Sequence, residues 1–240
     1  MRDPVIAAVH TLCVRGLLVD IDGTLVDSTA AVEAHWRTFA LRYNIDPDQL
    51  VSAVHGRRTA DVIAGLAGRL PVPVEEATAQ MEELDRTDVA GVVALPGARR
   101  LLTAVPRHRL ALVTSGTRAQ VAPRLAAAGL PAVGNFVGGE DVARGKPAPD
   151  PYVRGAQLLG LRPDECLAVE DAPPGVMSAR GAGCPTLAVL TTHSRAELAA
   201  ATLIAKDLAA ITVVVVAGQL SVTISAGLDG GMHRERESSS

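Results

Sequence analysis

A short apolar run that ends in acidic residues predicts the first buried strand of the chain. Residues 16–21 are aliphatic apart from a glycine and Asp20, and Asp22 and Gly23 follow at once. A continuous apolar run bounded by turn residues is typical of a strand in a parallel sheet. Residues i and i+2 of an extended chain point to the same side, so Asp20 and Asp22 are predicted to project together where the strand ends.

A second region, after Ser28, has the spacing of helices instead of strands. Apolar residues recur three or four positions apart over residues 31–40, and no strand-like segment occurs between residues 28 and 89. The predicted helices begin at residues 28, 46, 58 and 74 and end near residues 40, 55, 70 and 89. We therefore predict that residues 27–95 form an inserted helical cap, with residues 95–97 as the return hinge.

From residue 98 onward, short apolar runs alternate with segments of helical spacing. This alternation predicts a parallel sheet covered by helices and joined by right-handed crossovers. The predicted strands are residues 110–113, 136–137, 166–169 and 186–190, and the predicted helices are residues 98–105, 118–128, 149–159 and 173–182.

The two ends of the chain give weaker patterns. Residues 1–15 show little periodicity, and we expect a loose extension there. Residues 211–216 and 220–225 are rich in β-forming residues on either side of a glycine-containing turn, which predicts a terminal hairpin. Residues 227–240 are rich in glycine, serine and charge, which predicts a disordered tail.

Composition narrows the functional classes. The chain has 240 residues, is 48% hydrophobic and carries a formal net charge of −3, so nucleic acid and membrane are not expected partners. Its 3 cysteines are scattered, which argues against disulfides and zinc and favours the reducing cytoplasm. No apolar run reaches transmembrane length, and no signal peptide is expected. We expect a monomer that binds a small molecule.

Four clusters of polar residues follow predicted strands or lie just beyond them. Strand ends of one parallel sheet converge on one edge, where ligands bind in open α/β sheets. Two adjacent carboxylates need a cation or a shared proton, and Mg²⁺ prefers such oxygen ligands. An aspartate can act as a nucleophile, and a second acid can transfer protons. The clusters are Asp20 with Asp22, Thr114 with Ser115, Lys146, and Glu170 with Asp171.

Each cluster also has a simpler explanation. Asp20 and Asp22 could form a turn, and Lys146 could lie on the surface. The pairs at residues 114–115 and 170–171 could serve only to start helices. Neither an EF-hand nor a P-loop fits, because Gly23 follows the second aspartate directly and Pro147 stands where a P-loop needs serine or threonine.

Residues of the predicted cap carry weaker signals. His55 and Arg57 precede a cap helix and could either contact a substrate or remain solvated. Trp36 and Phe39 are interpreted as part of the cap core, since aromatic residues at helical spacing are mostly buried. Ser28 is interpreted as a helix-capping residue.

Taken together, the clusters resemble the four motifs of the haloacid dehalogenase superfamily. Residues 20–28 resemble the first motif, and residues 114–116, 145–147 and 170–171 resemble the second, third and fourth. The resemblance implies a Rossmann-like α/β core, formed by residues 1–26 and 96–226, with the cap inserted. Residues 55–59, 113–118 and 155–160 are similar to the sugar phosphatase and glycerol-phosphatase branch, in the β-phosphoglucomutase-like subfamily.

The resemblance implies a role for each site residue. Asp20 would attack phosphorus, and Asp22 would protonate the leaving oxygen and then activate water. Thr114, Ser115 and Lys146 would hold the phosphoryl oxygens, with His55 and Arg57 as further substrate contacts. Mg²⁺ would be bound by Asp20, the Asp22 main-chain carbonyl, Asp171 and Glu170. Phosphoryl transfer requires this combination of positioning and charge neutralisation.

Several functions are compatible with these motifs. The sequence favours a cytoplasmic, Mg²⁺-dependent phosphatase that acts on small sugar or polyol phosphates and whose cap closes over the site. A β-phosphoglucomutase-like isomerase is the first alternative. A dehalogenase is less favoured, because Asp22 and the carboxylates suit phosphoryl transfer. A non-enzymatic binding module is also less favoured, because no motif residue is lost.

Overall fold

In the computed structural model, which describes residues 9–225, strands and helices alternate along most of the chain. The strands are β1 Val9–Val14, β2 Gly16–Val19, β3 Val26–Asp27, β4 Val93–Ala94, β5 Leu110–Val113, β6 Phe136–Val137, β7 Cys166–Glu170, β8 Thr186–Val189, β9 Leu203–Ala205, β10 Ile211–Val216 and β11 Gln219–Ser225. The helices are α1 Thr29–Arg42, α2 Pro47–Val51, α3 Thr59–Ala64, α4 Val74–Thr87, α5 Ala98–Ala104, α6 Arg118–Ala127, α7 Asp150–Leu158 and α8 Pro173–Ala182.

Six of these strands form the predicted parallel sheet, in the order β6-β5-β2-β7-β8-β9. Strand β2 lies between β5 and β7 and pairs in parallel with both. The carboxyl ends of these three strands therefore meet at one edge. The α/β fold is confirmed. Strand β9 was not predicted.

Alternate residues of the central strands face opposite sides of the sheet. Leu17 and Val19 belong to one large hydrophobic cluster, and Leu18 belongs to a second. Both sides are packed against other elements, so β2 is buried at all four positions. This explains why the strand reads as a continuous apolar run instead of an alternating one.

Helices α1 to α4 form a unit with its own hydrophobic cluster, which includes Trp36, Phe39, Ile63 and Met81. The chain enters and leaves this unit through the short antiparallel pair β3 and β4. Two of its helices, α2 and α3, end at least four residues before their predicted ends. Helix α3 ends at Ala64, and a 3-10 turn over Ala67–Arg69 replaces the remainder.

The expectation of a loose extension before residue 15 is wrong for residues 9–14. They form β1, which pairs antiparallel with β11, and β11 pairs with β10 as the predicted hairpin. The partner of β1 lies about 200 residues later in the chain, so no local pattern announces the pairing. Residues 1–8 and the predicted tail at 227–240 lie outside the described residues. Within the described part, no helix has the length and apolarity to cross a membrane.

Candidate active site

The centre of the site is a buried lysine between two carboxylates. Lys146 Nζ donates to Asp20 Oδ1 at 2.6 Å and to Glu170 Oε1 at 2.5 Å. It also donates to the main-chain oxygen of Val113 at 3.1 Å, at the end of β5. The hydroxyl of Tyr152, on α7, donates to the same Glu170 oxygen at 2.5 Å. Lys146 is therefore an interior ion-pair partner, which excludes the surface alternative.

Asp171 is held beside this group by two threonine hydroxyls, one from the turn after β2 and one from the segment after β8. Thr24 Oγ1 donates to Asp171 Oδ1 at 2.9 Å, and Thr192 Oγ1 donates to the other carboxylate oxygen. Gly23 has a φ of +82°, and a Cβ there would lie 2.2 Å from Asp171 Oδ2. Glycine is thus required at position 23 both for the backbone conformation and for the approach of this carboxylate.

The buried carboxylates around Lys146 outnumber the positive charge available to them. Burial raises the pKa of Asp20 well above its ordinary value; Lys146 opposes this shift, and Glu170 and Asp171 add to it. Burial and the Glu170 charge raise the pKa of Asp171 to about 7. Burial alone would lower the pKa of Lys146, but Asp20 and Glu170 hold it above its ordinary value. Three carboxylates thus share one ammonium.

The donor set suits a hard divalent cation. One oxygen from each of Asp20, Glu170 and Asp171 lies within 4.8 Å of the others, and all three residues are buried. Carboxylate oxygens are preferred ligands of Mg²⁺, and a divalent ion would offset the excess negative charge. These residues therefore fit the metal that the resemblance implies.

A cavity between this edge of the sheet and the helical unit joins most of the predicted site residues. Lys146 and Glu170 do not line it, since they lie behind Asp20. The sheet edge contributes Asp20, Asp22, Thr114, Ser115 and Asp171, and the helical unit contributes Trp36, His55 and Arg57. Trp36 is thus both a core residue of that unit and part of the cavity wall.

Contacts across the cavity join the helical unit to the core. Ser115 Oγ donates to the Gly56 main-chain oxygen at 2.8 Å. Arg58 pairs with Asp61 at 2.7 Å and donates to the Val142 oxygen of the core at 3.1 Å. Arg58, which the sequence did not single out, is therefore a docking residue.

His55 and Arg57, for which the sequence left two interpretations open, occupy different environments. His55 Nε2 lies 3.4 Å from Glu33 Oε1, and its ring is nearly perpendicular to that of His193, at a centroid distance of 6.3 Å. The exposed guanidinium of Arg57 makes no hydrogen bond or ion pair within residues 9–225. Arg57 is thus free to meet an anion in the cavity.

Asp22 lies in a polar network that sequence reasoning missed. Its Oδ1 accepts from Ser28 Oγ at 2.6 Å and from Arg124 Nη1 at 2.9 Å. Ser28 occupies the N-cap position of α1 but makes no side-chain capping bond, because its hydroxyl serves Asp22. Arg124 Nη2 lies 3.3 Å from Asp85 Oδ2, on α4. A buried arginine in the middle of a helix has no local sequence signature.

The network continues to His35 on α1. His35 Nδ1 lies 2.8 Å from Asp85 Oδ1, and Nε2 lies 3.2 Å from Asp88 Oδ2. The hydrogen bond with Asp85 raises the pKa of His35; burial opposes this shift, and Asp88 adds to it. A protonated imidazole can donate from both nitrogens, so the folded protein favours the charged form.

His35 is expected to make stability depend on pH. The pKa of His35 is higher in the folded protein than in the unfolded chain, where it is about 6.5. The stabilisation that His35 gives the folded state is therefore complete below the unfolded-state pKa and is lost as the pH rises through the folded-state pKa. His35→Gln should lower the free energy of unfolding by about 1.5–3 kcal/mol at pH 5.5, and by less at pH 8.5. Urea unfolding of both proteins at the two pH values measures this, with the exposed His108→Gln as control. Equal losses at both pH values would refute a charged His35.

Comparisons with known proteins agree with this geometry. A model of haloacid dehalogenase-like hydrolases matches residues 14–183. Hexitol phosphatase A of Escherichia coli K12 is 41% identical over 202 residues, covering 83% of this chain and 94% of the relative. Glycerol-1-phosphate phosphohydrolase 2 of Saccharomyces cerevisiae is 32% identical over 194 residues, covering 76% and 77%. A hydrolase structure from Pseudomonas syringae matches with a TM-score of 0.72 at 25% identity, covering 81% and 94%.

Fold and site together define an α/β enzyme whose acidic centre lies at the carboxyl edge of a parallel sheet. The chain belongs to the haloacid dehalogenase-like hydrolase family, since the matched segment spans well over half of it.

Proposed function

We propose that this protein is a Mg²⁺-dependent phosphatase that hydrolyses small sugar or polyol phosphates through an aspartyl-phosphate. The observation that carries the proposal is the carboxylate group around Lys146, with Asp20 at the wall of a cavity under a helical unit. The likeness to a hexitol phosphatase and a glycerol-1-phosphate phosphohydrolase supports the substrate class. We further propose residues 27–95 as the cap and residues 1–26 and 96–226 as the core.

In this proposal, Asp20 and Asp22 divide the covalent and proton-transfer chemistry. An Asp20 carboxylate oxygen attacks phosphorus, the bond from phosphorus to the substrate oxygen breaks, and the proton of Asp22 passes to that oxygen. Water then attacks the phosphorus of the aspartyl-phosphate and gives a proton to Asp22. The bond from phosphorus to the Asp20 oxygen breaks, so inorganic phosphate is released and the Asp20 carboxylate is restored. Both side chains reach the same cavity.

The remaining residues bind and neutralise the phosphoryl group. Thr114 and the Ser115 main-chain N–H would hold its oxygens, while the Ser115 hydroxyl remains on Gly56. Lys146 supplies positive charge behind Asp20. Arg57 and His55 would contact the substrate from the cap, because both line the cavity.

Asp20, Asp171 and the Asp22 main-chain carbonyl would bind the metal ion, and Glu170 would assist. The bound ion would neutralise charge that develops on the phosphoryl oxygens. Glu170 also positions Lys146, because one of its carboxylate oxygens accepts a hydrogen bond from Lys146 Nζ.

The decisive experiment is phosphate release from a panel of hexitol, hexose, pentose and glycerol phosphates in the presence of Mg²⁺. We expect turnover of at least one polyol or sugar phosphate, with inorganic phosphate released in proportion to substrate lost. Conversion of glucose 1-phosphate into glucose 6-phosphate without phosphate release would instead identify a mutase.

Removal of the metal should stop the reaction reversibly. After dialysis against EDTA we expect activity to fall at least about 100-fold, because metal stabilisation of the transition state is worth several kcal/mol. Added Mg²⁺ should restore the original rate of phosphate release. Full activity in EDTA would contradict the assignment of Asp20 and Asp171 as metal ligands.

A further inference from the structure

Arg124 is a buried arginine whose two terminal nitrogens reach carboxylates of different units. It lies on α6 in the core, and only 5% of its surface is exposed. Nη1 binds Asp22 of the core at 2.9 Å, and Nη2 lies 3.3 Å from Asp85 of the cap. A guanidinium is a rigid planar fork, so fixing one nitrogen fixes the direction of the other.

Asp85 is itself held firmly. It is buried on α4, and its Oδ2 also accepts from Gln120 Nε2 at 3.0 Å. Its Oδ1 is in contact with His35 Nδ1 at 2.8 Å. Burial raises the cost of leaving any of these groups unpaired, so the set is expected to act as a unit.

These contacts fix the orientation of the Asp22 carboxylate. Its Oδ1 is occupied by Ser28 and Arg124, whereas its Oδ2 accepts no hydrogen bond from the residues that the structure describes. Asp22 lines the cavity together with Asp20. Holding one oxygen therefore orients the other for exchange of a proton with a ligand in the cavity.

We propose that Arg124 is a positioning residue that orients Asp22 for proton transfer to the leaving oxygen, and that Asp85 of the cap fixes Arg124 in that orientation. The inference rests on the proposed function in that Asp22 is the acid. It assigns to α6 and α4 a part in catalysis, since the guanidinium that binds Asp22 is held in its orientation by the cap carboxylate.

Dependence on the leaving group distinguishes this role from a purely structural one. A sugar or polyol oxygen needs a proton as it leaves, whereas p-nitrophenolate leaves readily as an anion. The ratio kcat/KM reports steps up to release of the alcohol, so it isolates the acid step from the later attack of water. A misplaced acid should therefore harm the alcohol substrate selectively.

The test compares Arg124→Lys and Asp85→Asn with the wild type on p-nitrophenyl phosphate and on the best polyol phosphate of the panel. For Arg124→Lys we expect kcat/KM to fall by about 10²–10³-fold on the polyol phosphate and by less than about 10-fold on p-nitrophenyl phosphate. Asp85→Asn should show the same selectivity to a smaller extent. Arg118→Lys, at an exposed position on the same helix, serves as the matched control and should match the wild type on both substrates.

The double variant tests the order of action. If Asp85 acts through Arg124, Arg124→Lys combined with Asp85→Asn should lose no more than Arg124→Lys alone, whereas fully additive losses would overturn the part assigned to the cap. Equal losses on both substrates, or a gain in activity, would overturn the positioning role.

Two further measurements distinguish a failure of the positioning role from misfolding of a variant and from a failure of the proposed function. Circular dichroism and thermal unfolding establish that each variant is folded, and the isosteric Asp85→Asn provides the result if Arg124→Lys does not fold. If the wild type hydrolyses no polyol or sugar phosphate, the proposed function fails. Phenyl phosphate against p-nitrophenyl phosphate then supplies the leaving-group comparison, and equal losses on that pair would overturn the positioning role by itself.

Discussion

Asp20→Asn will abolish turnover and leave the fold intact. The amide cannot attack phosphorus, and we expect kcat to fall at least about 10⁴-fold, as is usual when an enzyme loses its nucleophile. Burial raises the pKa of Asp20, so the ionised carboxylate is unfavourable in this environment. The variant should therefore unfold at a temperature no lower than the wild type, as thermal unfolding without divalent metal will measure.

The matched control for this variant is Asp27→Asn. Asp27 is an exposed acid of the same segment, and its replacement should leave the rate of phosphate release unchanged. Phosphate release by Asp20→Asn within about 10-fold of the wild-type rate would contradict the assignment of Asp20 as nucleophile, given the losses expected for such residues.

Lys146→Met will affect both stability and activity. The substitution leaves Asp20 and Glu170 buried without their common cation, and removal of one partner of a buried ion pair costs about 3–5 kcal/mol. Urea unfolding in EDTA should show this loss, and Mg²⁺ should restore part of it because a ligand of the native state stabilises that state. Loss of the positive charge behind Asp20 should also lower kcat by about 10²–10³-fold.

Lys206→Met is the control, because Lys206 is an exposed lysine. A surface substitution of this kind should change stability by less than about 0.5 kcal/mol. A Lys146→Met protein as stable as the wild type in EDTA would contradict the picture of one ammonium that compensates several buried carboxylates.

Much of the fold could be predicted because the core strands are buried on both sides. Four-residue apolar runs such as those of β2 and β5 appear as continuous patches in the sequence, and each is followed by polar residues. The partner of β1 was missed because pairing between distant segments depends on tertiary contacts.

Some residues of the candidate site could likewise be predicted from the sequence, and others could not. Asp20, Lys146 and Asp171 could be singled out because they follow predicted strands or motif glycines, where ligands of such sheets bind. Asp85, Gln120 and Arg124 could not, because each lies within a helix and they contact one another only when α4 packs against α6.

The sequence by itself determined the parallel sheet, the helical insertion and the identity of the acidic cluster, because hydrophobic period and strand-end polarity are local properties of the chain. Only the tertiary structure decided that Lys146 is buried between two carboxylates, that Ser28 binds Asp22 and that Arg124 on α6 meets Asp85 on α4. The contacts of Lys146 with Asp20 and of Arg124 with Asp85 join residues that are far apart in the chain, so no local pattern indicates them.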